Sequence, residues 1–207
     1  MIDVEKLILD RARSRFERFG YKKTTMDEIS RDCRISKKTV YACFRDKENL
    51  FLSLLLHESR LAQEYIFGQI REIADPVEKL KKLLKTAVEY FNQDHFLTRI
   101  LKDEEALYSP VLHKKYRQEV EESLIPAITG ILAEGQKRGR IRDIDVNVVA
   151  YAGLKLFQSF SYLRTRDFYR DRENPGYSVD VLIDLIMHGL ESTPESSIGS
   201  GGWTYVK

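Results

Sequence analysis

Three observations predict an all-α fold for this chain. Apolar residues recur at three-and-four spacing along most of its length, and capping residues stand ahead of those stripes. No run alternates apolar and polar residues as a half-buried strand would. Val4, Leu7, Ile8, Ala12, Phe16 and Phe19 form the first stripe, with Gly20 at the place of a helix C-cap. Thr25-Met-Asp-Glu28 fits a capping box, the Thr25 hydroxyl on the Glu28 amide and the Glu28 carboxylate reaching back. It opens a short helix, Met26–Cys33, whose Ile29 and Cys33 turn inward. Arg34-Ile35 leaves room only for a turn. Ser36 then caps a third helix through Phe44, and Asp46 caps a fourth from Lys47.

Further along, Asp75-Pro76 and Ser109-Pro110 each pair a capping residue with proline at the first helical position. Val77, Leu80, Leu83, Leu84, Ala87, Val88 and Phe91 follow the first pair as one stripe. Pro126 falls inside the helical pattern that runs from Val111 to Lys137, where a kink or break is expected. Gly135 and Gly139 bracket its end. Two more helices are marked by Val148, Val149, Ala152, Gly153, Leu156, Phe157 and Phe160, and by Val181, Leu182, Leu185, Ile186 and Leu190. Asn174-Pro175-Gly176 reads as a turn between them, and the Ser/Gly/Pro-rich residues 192–207 as a disordered tail.

Composition removes several classes of function. At 207 residues and 43% hydrophobic, the chain can bury a core without disulfide or metal staples. Its longest apolar stretch, near residues 50–56, is far short of the 18 or more residues of a membrane span. Acids follow the first methionine where a signal peptide carries bare positive charge, so a cytoplasmic protein is expected. Cys33 and Cys43 fit neither a metal site nor a disulfide framework; buried small hydrophobes are the expected role. Of His57, His95, His113 and His188, none has an acid three residues before it, and only His188 has one four away, Asp184. No Gly-rich phosphate loop, Gly-x-Ser-x-Gly elbow or His-Glu-x-x-His is present. Neither catalysis nor a metal or cofactor is expected.

Charge points to a partner. The first 50 residues hold 13 Lys/Arg against 9 Asp/Glu, whereas the remainder is slightly acidic. Most of the excess sits in Arg31, Arg34, Lys37, Lys38, Arg45 and Lys47, a local basic block suited to an anionic polymer or, equally, to a solvated helix face. Two short helices joined by a three-residue turn behind a longer one make a helix-turn-helix, with Lys37–Phe44 as its second helix. Val40 and Phe44 can point inward, which leaves Lys37, Lys38, Thr39, Tyr41 and Ala42 on the outer faces. Lysines supply charge to phosphates, Thr39 can reach a phosphate or a thymine methyl, and Tyr41 a backbone oxygen. The helix N-termini at Thr25, Ser36 and Asp46 add amide donors.

The run Phe16-Glu-Arg-Phe-Gly-Tyr-Lys-Lys-Thr-Thr-Met-Asp-Glu-Ile-Ser, followed by Ile35-Ser-Lys-Lys-Thr-Val-Tyr-Ala-Cys-Phe-Arg-Asp-Lys-Glu-Asn-Leu, resembles the N-terminal domain of TetR/AcrR-type transcriptional regulators. The resemblance is specific from Leu7 to Leu54 and weaker beyond, where Glu134-Gly-Gln-Lys-Arg-Gly-Arg-Ile-Arg-Asp-Ile-Asp is similar to a recurrent family segment. It implies a three-helix DNA-binding head over residues 1–50, with the helix-turn-helix at about 26–45, and a helical ligand-binding and dimerisation body over 51–191. By that resemblance Thr25, Tyr41 and Lys47 contact phosphates, with Ser36 at the helix start and Lys37, Lys38 and Thr39 at the groove of operator DNA. The last two helices would pair in a homodimer. The sequence departs from the family pattern in two places, the turn and the helix after it. Arg34 and Lys38 stand where glycine is common, and Ala42–Cys43 replaces a residue-plus-aromatic pair, so a mildly strained turn and an altered base preference are expected.

The implied function is a one-component regulator, a repressor released from a palindromic operator by a small hydrophobic effector. The alternative is a helical sensor or carrier without specific DNA binding. Phe96, Ile100, Leu101, Tyr108, Leu112, Tyr151, Leu154 and Phe157 are the candidate ligand-binding residues, apolar groups with tyrosine hydroxyls for orientation.

Overall fold

The computed structural model describes residues 3–102, 110–161 and 175–191. Among these, nine helices run in chain order: α1 (Val4–Lys23), α2 (Met26–Cys33), α3 (Lys37–Cys43), α4 (Lys47–Gly68), α5 (Pro76–Asn92), α6 (Phe96–Lys102), α7 (Pro110–Lys137), α8 (Val146–Ser161) and α9 (Pro175–Leu190). The all-α expectation holds. An isolated antiparallel bridge between Ile141 and Glu191 is the one extended pairing among the described residues.

Side chains set most of the helix starts. Asp3, Thr25, Ser36, Asp46 and Asp75 each accept from a backbone N–H in the first turn of the helix that follows. The box at Thr25 is complete: Thr25 N donates to Glu28 Oε2 at 2.9 Å and Glu28 N donates to Thr25 Oγ1 at 3.3 Å. Gly20 interrupts α1 with φ 77° and ψ 164°, so the last turn, through Lys23, leaves on a new axis. The third helix stops one residue earlier than the sequence suggests, because Phe44 adopts an extended backbone as its C-cap. Residues 175 and 176 begin α9 rather than forming a turn, as proline at a first helical position allows. Ser109 and Asn174, and the predicted disordered tail at 192–207, lie outside the described residues.

Neither a break nor an end of helix occurs at Pro126; α7 is continuous from Pro110 to Lys137. Pro126 is exposed, so the carbonyl four residues earlier, which loses its partner, faces water. The Glu134–Ile141 segment ends α7 through two glycines with different tasks. Gly139, at φ 67°, takes the left-handed position, and its N–H donates to the Gln136 carbonyl at 2.9 Å. Gly135 leaves space for Ile141: a Cβ there would lie 2.4 Å from the Ile141 Cδ1 atom. Gln136 Nε2 then donates to the carbonyls of Arg142 and Ile144, fixing the chain into α8.

A first group of helices, α1 to α3, packs against the start of α4, while α4, α5, α7, α8 and α9 pack together beyond it. One hydrophobic core runs through both, from Ile8 to Leu190. At the junction the Phe16 and Tyr21 rings of α1 lie 5.0 and 4.8 Å from the Phe51 ring of α4. Helix α4 therefore begins under the head and continues into the body without a hinge.

Candidate functional site

The head presents α3 at the surface. Ile29, Val40 and Phe44 are buried, holding α2 and α3 together, whereas Lys37, Lys38 and Tyr41 are exposed, Tyr41 by 49%. Ser36 Oγ accepts from Thr39 N at 3.1 Å and lies 2.8 Å from Thr39 Oγ1, so these two hydroxyls are tied to the helix start. The Lys37 ammonium pairs with Asp27 of α2. Lys38 is a second exposed cation of the outer face.

Arg34 ends α2 with φ 56° and ψ 38°, the left-handed conformation. Its N–H donates to the Arg31 carbonyl and the Ile35 N–H to the Ser30 carbonyl, both at 3.1 Å, which completes a Schellman motif. The turn expected to be strained is indeed built on a residue with a Cβ at the glycine position. Arg15 of α1 braces α2 from behind, donating to Asp32 at 2.6 and 3.1 Å and lying 3.1 Å from Glu28. That hydrogen-bonded guanidinium holds the Asp32 carboxyl below its ordinary value.

Lys47 has a structural task. Its Nζ donates to the carbonyls of Tyr21 and Thr24, each at 3.0 Å, and sits 4.3 Å from the centre of the Tyr21 ring. The first residue of α4 thus closes the end of α1, and burial draws its pKa down. The two cysteines are free thiols, pushed up in pKa by burial, without the lowered pKa of a reactive thiol.

Behind the head, α4, α5, α7, α8 and α9 line a partly open cavity of about 340 Å³. Its wall is almost entirely aliphatic and aromatic. Leu80, Leu83, Leu84, Ala87 and Phe91 of α5 face it, as do Val120, Leu124, Ile128 and Leu132 of α7 and Leu185, Ile186 and Leu190 of α9. Ser59, Gln63 and Tyr116 supply the polar side chains of the described lining. Of the residues expected around a ligand, Leu154 and Phe157 of α8 face the cavity. Phe96 and Leu112 are buried away from it, Ile100 and Leu101 are partly buried beside the core, and Tyr151 is half exposed. Tyr108 lies outside the described residues. The α7 wall was missed in the sequence although Tyr116, Val120, Leu124, Ile128 and Leu132 recur at a strict spacing of four.

Helix α6 touches both regions. Leu97 lines the cavity, while Phe96 beside it lies under the Arg13 guanidinium of α1, 5.8 Å from ring centre to carbon. Arg99 donates to Glu17 of α1 at 2.6 Å and to Asp94 at 3.0 Å. Arg13 in turn lies 3.4 Å from Glu58 of α4.

A basic helix-turn-helix set on a helical body with an apolar cavity is the architecture of a DNA-binding transcriptional regulator. The chain belongs to the TetR family: residues 8–54 match the model of bacterial regulatory proteins of the tetR family, and residues 74–162 that of a tetracyclin repressor-like C-terminal domain. It is 31% identical over 159 residues to the HTH-type transcriptional regulator YhgD of Bacillus subtilis (strain 168), covering 75% of this chain and 81% of that protein. The fatty acid metabolism regulator protein of the same organism is 25% identical over 142 residues, covering 68% and 73%. The fold also matches the solved structure of FadR from Bacillus subtilis in complex with stearoyl-CoA, with a TM-score of 0.68 at 21% identity over 89% of this chain and 98% of that one. The protein is a TetR-family transcriptional regulator with a DNA-binding helix-turn-helix. Among the described residues, no helix is long and apolar enough to cross a membrane.

Proposed function

We propose that the chain is a homodimeric repressor that leaves a palindromic operator when an acyl-type ligand fills the cavity. The observation that carries this reading is the apolar cavity directly behind the head, its wall sharing α6 and α4 with the α1 contact. In this reading two α3 helices enter successive major grooves. Lys38 and Thr39 meet base edges. Thr25, Ser36, Lys37, Tyr41 and Lys47 meet phosphates, Lys47 with the one ammonium hydrogen not directed at α1. Val148 and Tyr151 of α8 and Val181 of α9 are exposed and lie outside the cavity wall, and they supply an apolar face for a second copy.

A ligand that binds better to the conformation with wrongly spaced heads shifts the population off DNA. The cavity wall supports a hydrophobic ligand, and the likeness to a fatty acid metabolism regulator supports an acyl chain. Leu154 and Phe157 would touch it; Phe96, Ile100, Leu101 and Tyr108 would act at its edge or through α6, and Leu112 and Tyr151 through packing.

Fluorescence anisotropy on the DNA upstream of the protein's own gene, beside a scrambled duplex and across a salt series, tests the reading. Specific binding whose log affinity falls by about 0.9 per phosphate contact, reversed by micromolar decanoyl-CoA, is expected. Equal affinity for both duplexes, or binding that decanoyl-CoA strengthens, would overturn the repressor assignment.

A further inference from the structure

The cavity wall is apolar except at one buried point. There Ser59 Oγ of α4 and Tyr116 Oη of α7 lie 2.7 Å apart, both side chains buried and both facing the cavity. Each hydroxyl offers one hydrogen and two acceptor sites. Whichever donates to the other, one hydroxyl hydrogen of the pair remains without a partner among the described residues. In an apolar surrounding that hydrogen is costly to leave unbonded and is strengthened when it finds an acceptor. Gln63, one turn along α4, accepts from Ser123 Oγ at 2.7 Å on a more exposed part of the wall.

We propose that the Ser59–Tyr116 pair is a subsite for one uncharged acceptor oxygen, a carbonyl, of an otherwise apolar ligand. This rests on reading the cavity as the ligand site, and it adds the chemistry of the ligand's polar group. At the buried pair itself a single available donor suits a carbonyl. An ionised carboxylate, with about four acceptor positions, would be left largely unsatisfied there. The described lining holds no Lys, Arg or His to balance it. The pair also stays uncharged: burial pushes the Tyr116 hydroxyl up to about 12 in pKa, so it donates without ionising at any physiological pH. The ligand class selected is an ester, thioester or ketone on a hydrocarbon, in preference to the free acid.

Calorimetric titration of the full-length protein with two matched pairs tests this. Decanoyl-CoA is compared with S-decyl-CoA, the thioether that lacks the carbonyl, and valerophenone with pentylbenzene, where CH2 replaces C=O. One neutral hydrogen bond corresponds to about a three- to tenfold preference for the carbonyl member of each pair. Because either hydroxyl alone can still donate, the decisive variant is the double change Ser59→Ala with Tyr116→Phe. Removing both partners of a buried bond is close to neutral for folding. It should bring each ratio, read within the same protein, to within about twofold. As a check that needs no variant, the carbonyl stretch of bound valerophenone should lie below its value in hexane.

Preference in the ketone pair with no binding of either CoA compound would keep the subsite and reject the acyl-thioester reading. Equal affinities within both pairs, a preference that survives in the double variant, or no binding by any of the four would overturn the proposal.

Discussion

Arg34 shows how a single residue sets both shape and cost. Its backbone lies in the left-handed region, where a Cβ crowds the next carbonyl at about 1 kcal/mol and glycine carries no such penalty. The Schellman hydrogen bonds hold it there, so the turn geometry survives and the energy is lost instead. Arg34→Gly should therefore stabilise the protein by about 0.5–1 kcal/mol, a rise of roughly 1–4 °C in Tm. Urea denaturation of the two proteins checks it; an unchanged or lower midpoint would mean that the arginine side chain contributes more than its backbone costs. Lys47 closes the end of α1 and, in the proposed function, also meets a phosphate. Lys47→Ala should lower stability by about 1 kcal/mol, since two carbonyls at the end of α1 lose a charged donor. It should also weaken DNA binding equally on specific and scrambled duplexes and make the salt slope shallower by about 1. Loss of DNA affinity on the operator alone would place Lys47 at a base.

At the scale of elements, the packing of α1 on α4 contains a charge in the wrong surroundings. Burial raises the Glu58 carboxyl above the ordinary glutamate value of 4.5, and Arg13, 3.4 Å away, offsets that only in part. A folded-state pKa above the unfolded one means that the folded state binds the proton more tightly. The associated stability is full below the unfolded value and is lost as pH rises through the folded one. Glu58→Gln should thus stabilise the protein at pH 7 by up to about 1 kcal/mol, an amount limited by partial solvent screening. The gain should fade as pH drops towards 4.5. Denaturation midpoints at pH 7 and pH 4.5 check the sign; a Gln variant less stable at pH 7 would make the Arg13–Glu58 pair net stabilising. Asp46 and Asp75 behave oppositely. The backbone amides they cap, at Asn49 and Glu78 first, hold both carboxyls below the ordinary range, so their contribution is present at neutral pH and lost on acidification.

For the molecule as a whole, the proposed dimer makes a simple prediction. Val148 of α8 is 62% exposed and Val181 of α9 49%, and neither lines the cavity. Val148→Glu with Val181→Glu places two charges on the apolar face and costs the separated chains almost nothing. Sedimentation at micromolar concentration should show the wild type as a dimer and the variant as the 24.2 kDa chain, with operator affinity reduced at least about tenfold. A wild type that sediments as a monomer would remove α8 and α9 from the interface and leave their apolar face unexplained.

Local signals along the chain determined the helices and the head. A capping box, an N-cap serine or an Asp-Pro pair acts within one turn, so Thr25, Ser36, Asp46 and Asp75 mark their helices before any packing is known. The spacing of Ile29, Val40 and Phe44 likewise decides which face of α3 turns outward, which is why the basic face was readable together with its family. Tertiary structure alone decided what the buried residues surround. Apolar periodicity separates inside from outside and does not separate solid core from cavity wall, so Phe96 and Leu112 read the same as Leu154 and Phe157. The partnership of Ser59 with Tyr116, 57 residues apart, and the capture of Lys47 by carbonyls at the end of α1 depend on how helices cross, which no local pattern encodes. Pro126 makes the same point in reverse. The local rule calls for a kink or a break, and α7 does not break because its packing against α4, α5 and α8 outweighs the loss of one hydrogen bond.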